Sequence, residues 1–394
     1  MDKKNKNPNV PNLRFPGFYN EWKKICIESL ITEEKIYTSD FEKYPLHSFT
    51  IELGIIPKTE RYERGFLIKK DGNLFKVVQQ NDFVMNPMNL RFGAINYSKV
   101  SKSISVSGYY NIFRIDNCKF NDFWNAYFKT PKILNLYNSI ATGSLVEKKR
   151  VHFSQFKKIK MYMPCELEKQ KIDTLIKLLD LRIETQSKII SDYKTLKKGI
   201  IQHIFNANAQ YSKVHLNIIL KEISKKNKRQ IHNNVLSISN SLGFIKQSEQ
   251  FVDREIASSN TSNYKIVNKN EYAYNPARIN VGSIARLTNY DCGIVSPMYT
   301  IFEINTTRII YEYFDYFLHS FTFQKQLNQR LEGSVRQCLT FNSMQNIEIE
   351  LPPIEVQIEI SKNMKHLDSK IKIESGYLNL LKSQKDYLLK NMFV

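Results

Sequence analysis

The stretch PCELEKQKIDTLIKLLDLRIETQSKIISDYKTLKKGIIQHIF, residues 164–205, and its echo PPIEVQIEISKNMKHLDSKIKIESGYLNLLKSQKDYLLKNMF, residues 352–393, decide the reading of the fold. Neither contains a proline beyond its opening, and each is long enough for a helix of about 40 residues. In the first, Ile172, Ile176, Leu179, Ile183, Gln186, Ile190, Tyr193, Lys197, Ile200 and Ile204 alternate steps of four and three. In the second, Ile360, Met364, Leu367, Ile371, Glu374, Leu378, Leu381, Lys385, Leu388 and Met392 repeat that seam at an offset of 188. This is the a/d spacing of a coiled coil over about five heptads. Polar residues interrupt both seams at equivalent places, Gln186 with Glu374 and Lys197 with Lys385. Such residues cost stability but fix register. An antiparallel pair of related helices is therefore expected; the alternative is two amphipathic helices, each packed on its own domain.

Outward from the helices, the rest of the chain is also written twice. Shifted by 189 residues, Trp22-Lys-Lys-Ile25 meets Tyr211-Ser-Lys-Val214, and Leu53-Gly54-Ile-Ile56 meets Leu242-Gly243-Phe-Ile245. Phe75-Lys-Val-Val78 meets Tyr264-Lys-Ile-Val267, while Asn86-Pro87, Gly93 and Tyr110 match Asn275-Pro276, Gly282 and Tyr299. The register drifts by a residue or two near Gly143-Ser144 and Gly333-Ser334. A register held this far marks an internal duplication. Short β-rich runs such as Phe83-Val-Met85 and Tyr299–Ile304 are punctuated by Gly and Pro, and the aromatic segments Phe123-Trp124 and Tyr311–Phe317 suit helices. The expected fold class is α+β: two homologous α/β domains in tandem, 1–163 and 207–351, each followed by a spacer helix, 164–206 or 352–394.

Of 394 residues, 42% are hydrophobic and 12% aromatic, which implies packed cores. The formal charge of +20 favours a polyanionic partner, although excess lysine also serves solubility. The surplus is uneven: residues 1–165 carry 27 basic and 15 acidic groups, and residues 206–354 carry 16 and 12. The helical segments are nearly balanced, as befits elements that pack on protein. A membrane surface is a weaker candidate, since no lysine-rich helix with exposed aromatics stands out. Five scattered cysteines, with no CxxC pair, indicate neither a disulfide framework nor a zinc site. The polar start and the absence of a long apolar run place the chain in the cytoplasm.

Candidate DNA contacts fall in the loops between matched runs. Lys58, Thr59 and Arg61 follow the Gly54 turn, and Gln247 takes the corresponding place in the second copy. Asn89 and Arg91 follow Asn86-Pro87, as Arg278 and Asn280 follow Asn275-Pro276, with Arg286 further on. Gly143-Ser144 with Lys148, Lys149 and Arg150 forms a basic glycine loop, and Gly333-Ser334 with Arg336 is its counterpart. Arg and Asn suit guanine and adenine edges in a major groove, and lysines neutralise phosphates. Chemistry of bond-making is not legible: there is no GxxxxGK[ST] loop and no GxGxxG after a strand. Asn86-Pro87-Met-Asn and Asn275-Pro276-Ala-Arg lack the second proline and aromatic of the adenine-methyltransferase Asn-Pro-Pro-Tyr loop and read as turns. The histidines never fall at metal-ligand spacing, so no metal is expected.

With these features in hand, the chain resembles the specificity subunits of Type I restriction–modification systems. The opening Pro11-Asn-Leu-Arg-Phe-Pro-Gly-Phe-Tyr-Asn-Glu-Trp22 carries the likeness. So do the junction Met163-Pro-Cys-Glu-Leu-Glu-Lys-Gln170, its repeat Leu351-Pro-Pro-Ile-Glu-Val-Gln357, and the string Gly293-Ile-Val-Ser-Pro-Met-Tyr299. The first copy departs from that string, with Ser105-Val-Ser-Gly-Tyr-Tyr110. The resemblance implies that each domain reads one half of a split, asymmetric site on double-stranded DNA. It implies that the helices set the gap and dock two methyltransferase subunits, which restriction/translocase subunits join. Catalysis, with S-adenosylmethionine, ATP and Mg, would belong to those partners and not to this chain. The alternatives are a self-sufficient modification enzyme, a coiled-coil scaffold with incidental charge, and a DNA-binding protein outside restriction–modification.

Overall fold

The computed structural model describes residues 9–51, 54–58, 75–116, 119–144, 149–206, 211–240, 242–250, 260–333 and 337–394. Each domain is built on a four-stranded antiparallel sheet. In the first, Ile31–Glu34 (β1), Phe83–Met85 (β2), Ile95–Tyr97 (β3) and Asn111–Ile115 (β4) run in the order β1-β4-β2-β3. In the second, Leu220–Ile223 (β5), Tyr272–Tyr274 (β6), Ile284–Arg286 (β7) and Thr300–Ile304 (β8) repeat it as β5-β8-β6-β7. The duplication reaches individual side chains: Phe83 opposes Phe113 across β2 and β4, and their rings stack at 5.3 Å. Tyr272 and Phe302 do the same across β6 and β8 at 5.2 Å. β2, expected as a β-rich run, and β6 are buried at every residue and form interior strands.

Helices cover one face of each sheet, Asn121–Tyr127 and Pro131–Ile140 in the first domain, Tyr311–Leu318 and Phe321–Gln329 in the second. A two-stranded ribbon closes each domain, Lys23–Cys26 on Lys160–Met163 and Lys213–His215 on Glu348–Glu350. The strand ahead of each long helix is thereby fixed where the helix begins.

The long helices span Glu166–Asn206 (α1) and Ile354–Met392 (α2). Every seam position, including Ile176, Leu179, Ile183, Ile190, Tyr193, Met364, Leu367, Ile371, Leu378 and Leu381, is buried or half-buried. Leu178, Leu181 and Leu380, off the seam, are exposed. The chain divides into two compact units, 1–187 with 376–394, and 188–375, so each unit holds one domain and half of each helix. Within the first unit Asp180 pairs with Lys385, and Arg182 sits on Tyr377 with its guanidinium 5.4 Å from the ring centre. One numbering rises as the other falls, so the helices are antiparallel. Within the second unit Lys197 pairs with Asp368, the duplicate of the Lys385–Asp180 bridge. The lysines that interrupt the apolar seam are thus matched to aspartates on the facing helix.

The helix ends do something the seam pattern did not reveal. Ile172 and Ile176 join the first domain's core, as do Met392, Phe393 and Val394. Phe393 lies 4.8 Å from Tyr127, 5.4 Å from Phe123 and 6.3 Å from Trp22. Its duplicate, Phe205, lies 5.0 Å from Tyr313 and 5.4 Å from Phe317 in the second domain's core. Helix-on-helix and helix-on-domain packing therefore coexist. A buried Phe contributes about 2–3 kcal/mol, which anchors each helix end firmly.

Candidate nucleic-acid interface

Two of the loop groups singled out in the sequence are tied together, in the same way in both domains. Asn86 and Asn275 each open an Asx turn, their Oδ1 accepting from the N–H of Met88 and Ala277 at 3.1 Å. A short 3-10 turn follows, Leu90–Phe92 or Ile279–Val281, and ends on a left-handed glycine, Gly93 (φ 87°) or Gly282 (φ 93°). The glycine loops are closed by bridges, Thr142 with Arg150 and Glu332 with Cys338. The next residue then donates to the proline of the turn: Val151 N–H to Pro87 O at 3.0 Å, and Leu339 N–H to Pro276 O at 3.1 Å. The Asn-Pro turn and the glycine loop thus form one edge in each domain. The carboxamide oxygens of Asn86 and Asn275 are taken up by backbone N–H groups, in keeping with the reading of these motifs as turns.

At that edge Asn89 and Arg278 occupy the same place, the residue before the 3-10 turn, and both are exposed. Asn280 and Arg150 are also exposed, and Lys149 is half-buried. Phe92 and Val281, again equivalent, are exposed at 57% and 52%. The sequence reading passed over these two, because an apolar residue beside a turn looks like core until its exposure is known.

Two arginines expected to contact DNA are placed otherwise. Arg91 is buried, its guanidinium 5.0 Å from the Phe92 ring centre. Arg286 is held by Asp315 at 2.7 Å, donates to Asn270 Oδ1 at 3.1 Å and covers the Tyr311 ring at 4.9 Å. Burial opposes the charge of Arg286, but Asp315 outweighs it and its pKa is raised. Arg286 braces the helical layer onto β7. In the first domain Tyr97 on β3 makes the corresponding tie, its hydroxyl donating to Asp122 at 2.7 Å.

Lys58 and Gln247 are equivalent, as expected, with backbone N–H groups donating to Leu46 O and Val235 O. They sit at the base of the hairpins His47–Thr50/Gly54–Pro57 and Leu236–Ser239/Gly243–Lys246, not at the glycine tips. Gly54 instead abuts Asn96 on β3, where an added Cβ would meet Asn96 Nδ2 at 2.3 Å. Thr59, Arg61, Lys148, Ser334 and Arg336 lie outside the described residues. Other lysines are internal: Lys76 and Lys265, at matched positions, each donate from Nζ to a carbonyl, Tyr110 O and Tyr299 O, at 2.7 Å. Burial lowers the pKa of both. A basic run, Lys225, Lys226, Lys228 and Arg229, was missed although its density was visible in the sequence, because no counterpart in the first copy drew attention to it. All four are exposed.

Among the described residues, no group of three or more His, Cys, Asp or Glu side chains is placed to hold a metal. No helix there is long and apolar enough to cross a membrane.

No protein-family model matches the sequence, and no curated protein matches it significantly. Solved structures do. The S subunit of the Type I restriction–modification system from M. genitalium superposes with a TM-score of 0.57 at 14% identity, covering 98% of this chain and 99% of that one. A chain from a structure of the assembly and conformational transition of the type I R-M system gives 0.57 at 13% identity, covering 97% and 99%. The chain therefore shares the fold of these proteins from end to end: duplicated α/β domains alternating with two long helices.

Proposed function

We propose that this chain is the DNA-specificity subunit of a Type I restriction–modification complex, each domain reading one half of a bipartite site. One observation carries the reading: two copies of a single scaffold expose different side chains at the same turn. Asn89 and Phe92 stand where the second domain has Arg278 and Val281. Asn suits adenine and Arg suits guanine, while an apolar neighbour suits the thymine methyl. The positive surplus on the domains supplies phosphate affinity without sequence preference. The full-length likeness of fold to S subunits supports the same assignment.

On this reading two methyltransferase subunits dock on the helices, where Leu178 and Leu181 in one unit and Ile373 in the other offer exposed apolar side chains. Restriction/translocase subunits complete the complex in the cytoplasm. S-adenosylmethionine, ATP and Mg act in those partners. The test is reconstitution with a methyltransferase subunit encoded beside this chain. The pair should methylate adenine on both strands of one split site, and the chain alone should not. Methyl transfer by the chain alone, unaffected by partner, would overturn the proposal.

A further inference from the structure

One loop carries opposite charge in the two copies of the scaffold. In the second domain Lys225, Lys226, Lys228 and Arg229 are exposed. The neighbouring ion pairs are Lys221–Glu303 and Lys269–Asp291, and none among the described residues engages these four. The loop is nevertheless firmly built. Asn227, 2% exposed, donates from Nδ2 to His232 O at 2.8 Å and to Thr261 Oγ1 at 3.4 Å. Its Oδ1 accepts from His232 N–H at 3.3 Å, its N–H donates to Tyr264 O at 2.9 Å, and its carbonyl accepts from Gln230 N–H at 2.8 Å. Lys225 O accepts from Ile266 N–H at 2.8 Å, and Lys226 bridges to Lys265.

The first domain makes the same bridge with Tyr37 on Lys76, which fixes the correspondence. Ile36, Tyr37, Ser39 and Asp40 stand where the second domain has Lys225, Lys226, Lys228 and Arg229. Thr38 takes the place of Asn227; it is buried, and its hydroxyl accepts from Asp40 N–H at 3.0 Å. The fold therefore requires a buried polar staple at this point but not the four cations. Cations crowded on one turn repel one another, so the arrangement opposes folding unless an anion is met there.

We propose that the loop Lys225–His232 is a clamp for the phosphates of duplex DNA, present in the second domain alone. The loop leads through Asn234 into Val235, whose carbonyl accepts from Gln247 N–H at 3.0 Å, so the clamp adjoins a segment expected to meet DNA. The inference rests on the DNA-binding reading above.

The test measures binding of the full chain to a random-sequence duplex across a salt series, by fluorescence anisotropy. The clamp variant is Lys225→Gln, Lys226→Gln, Lys228→Ser and Arg229→Gln, with Asn227 kept. A charge-matched control is Lys188→Gln, Lys194→Gln, Lys362→Gln and Lys372→Gln on the long helices. The slope of log K against log salt should fall by about 0.9 for each phosphate that is no longer neutralised, so by about 2–4 for the clamp variant. Affinity at low salt should drop at least about tenfold, with the control close to the parent. Arg229→Gln alone, which spares the backbone staple, should lower the slope by about one. A clamp variant and an Arg229→Gln variant that both follow the control would overturn the clamp while leaving DNA binding intact. A parent that binds no duplex at any salt would instead overturn the DNA reading itself.

Discussion

Lys129 offers the sharpest test of the packing described for the first unit. It follows Phe128 at the end of the helix Asn121–Tyr127, where burial pushes its pKa from 10.5 down to about 8, with Lys385 and Lys99 adding to the fall and Asp180 opposing it. The folded protein thus holds its proton less tightly than the unfolded chain. At 1.36 kcal/mol per pKa unit, that difference amounts to about 3 kcal/mol against folding at pH 7. The sign follows from proton counts. Between pH 8 and 10.5 the unfolded state binds the extra proton, so stability rises with pH across that window, and the full cost is present below it. Lys129→Met keeps the stem and removes the charge, and should stabilise the unit by roughly 1–3 kcal/mol at pH 7. The gain should shrink to under about 1 kcal/mol at pH 10. Both tryptophans, Trp22 and Trp124, are in this unit's core, so urea unfolding followed by tryptophan emission reports on it selectively. A Met variant that is less stable than the parent at pH 7, with no narrowing of the difference by pH 10, would mean that burial does not disfavour the Lys129 charge.

Further expectations concern the helices and the loops. Double-mutant cycles on Lys385–Asp180 and Lys197–Asp368 should each give a coupling of about 0.5–1.5 kcal/mol by chemical denaturation, the value expected of partly exposed pairs on a seam. Arg278→Ala should relax one half-site only, at about 1–3 kcal/mol, if it reads a base, or weaken all duplexes alike if it meets phosphate; binding assays on half-site variants separate these. Arg286→Ala should instead cost the second domain about 2 kcal/mol or more of stability, since Asp315 loses its cationic partner and keeps only the Tyr272 hydroxyl. Four residues inserted after Ile190 add about 6 Å of helix, so mapping of methylated adenines should show the gap between unchanged half-sites longer by one or two base pairs. An active insertion variant that keeps the parental gap would mean that the helices do not set it.

The duplication and the long helices were legible because both are periodic. The seam Ile172–Ile204 and its copy fixed which faces are covered, and matched strands such as Phe75–Val78 and Lys265–Asn268 carried the domain architecture. The sites were less legible, for a physical reason. A basic residue after a turn looks the same in sequence whether it faces solvent or a carboxylate. Arg278 and Arg286 were indistinguishable until Asp315, 29 positions beyond Arg286, proved to hold the second. Matching the copies also favoured residues that had counterparts, which hid Lys225–Arg229, a feature of one copy only. The seam ends at Ile204 and Met392, and the residues just beyond it, Phe205 and Phe393, belong to the domain cores.

On the proposed function, two different readers on one scaffold recognise a split site. Selection of bound duplexes from a randomised pool by the full chain, followed by sequencing, reads both half-sites at once. Two short, dissimilar sequence blocks separated by a gap of constant length and random content are expected. Enrichment of a single block, of two identical blocks, or of none would contradict that function.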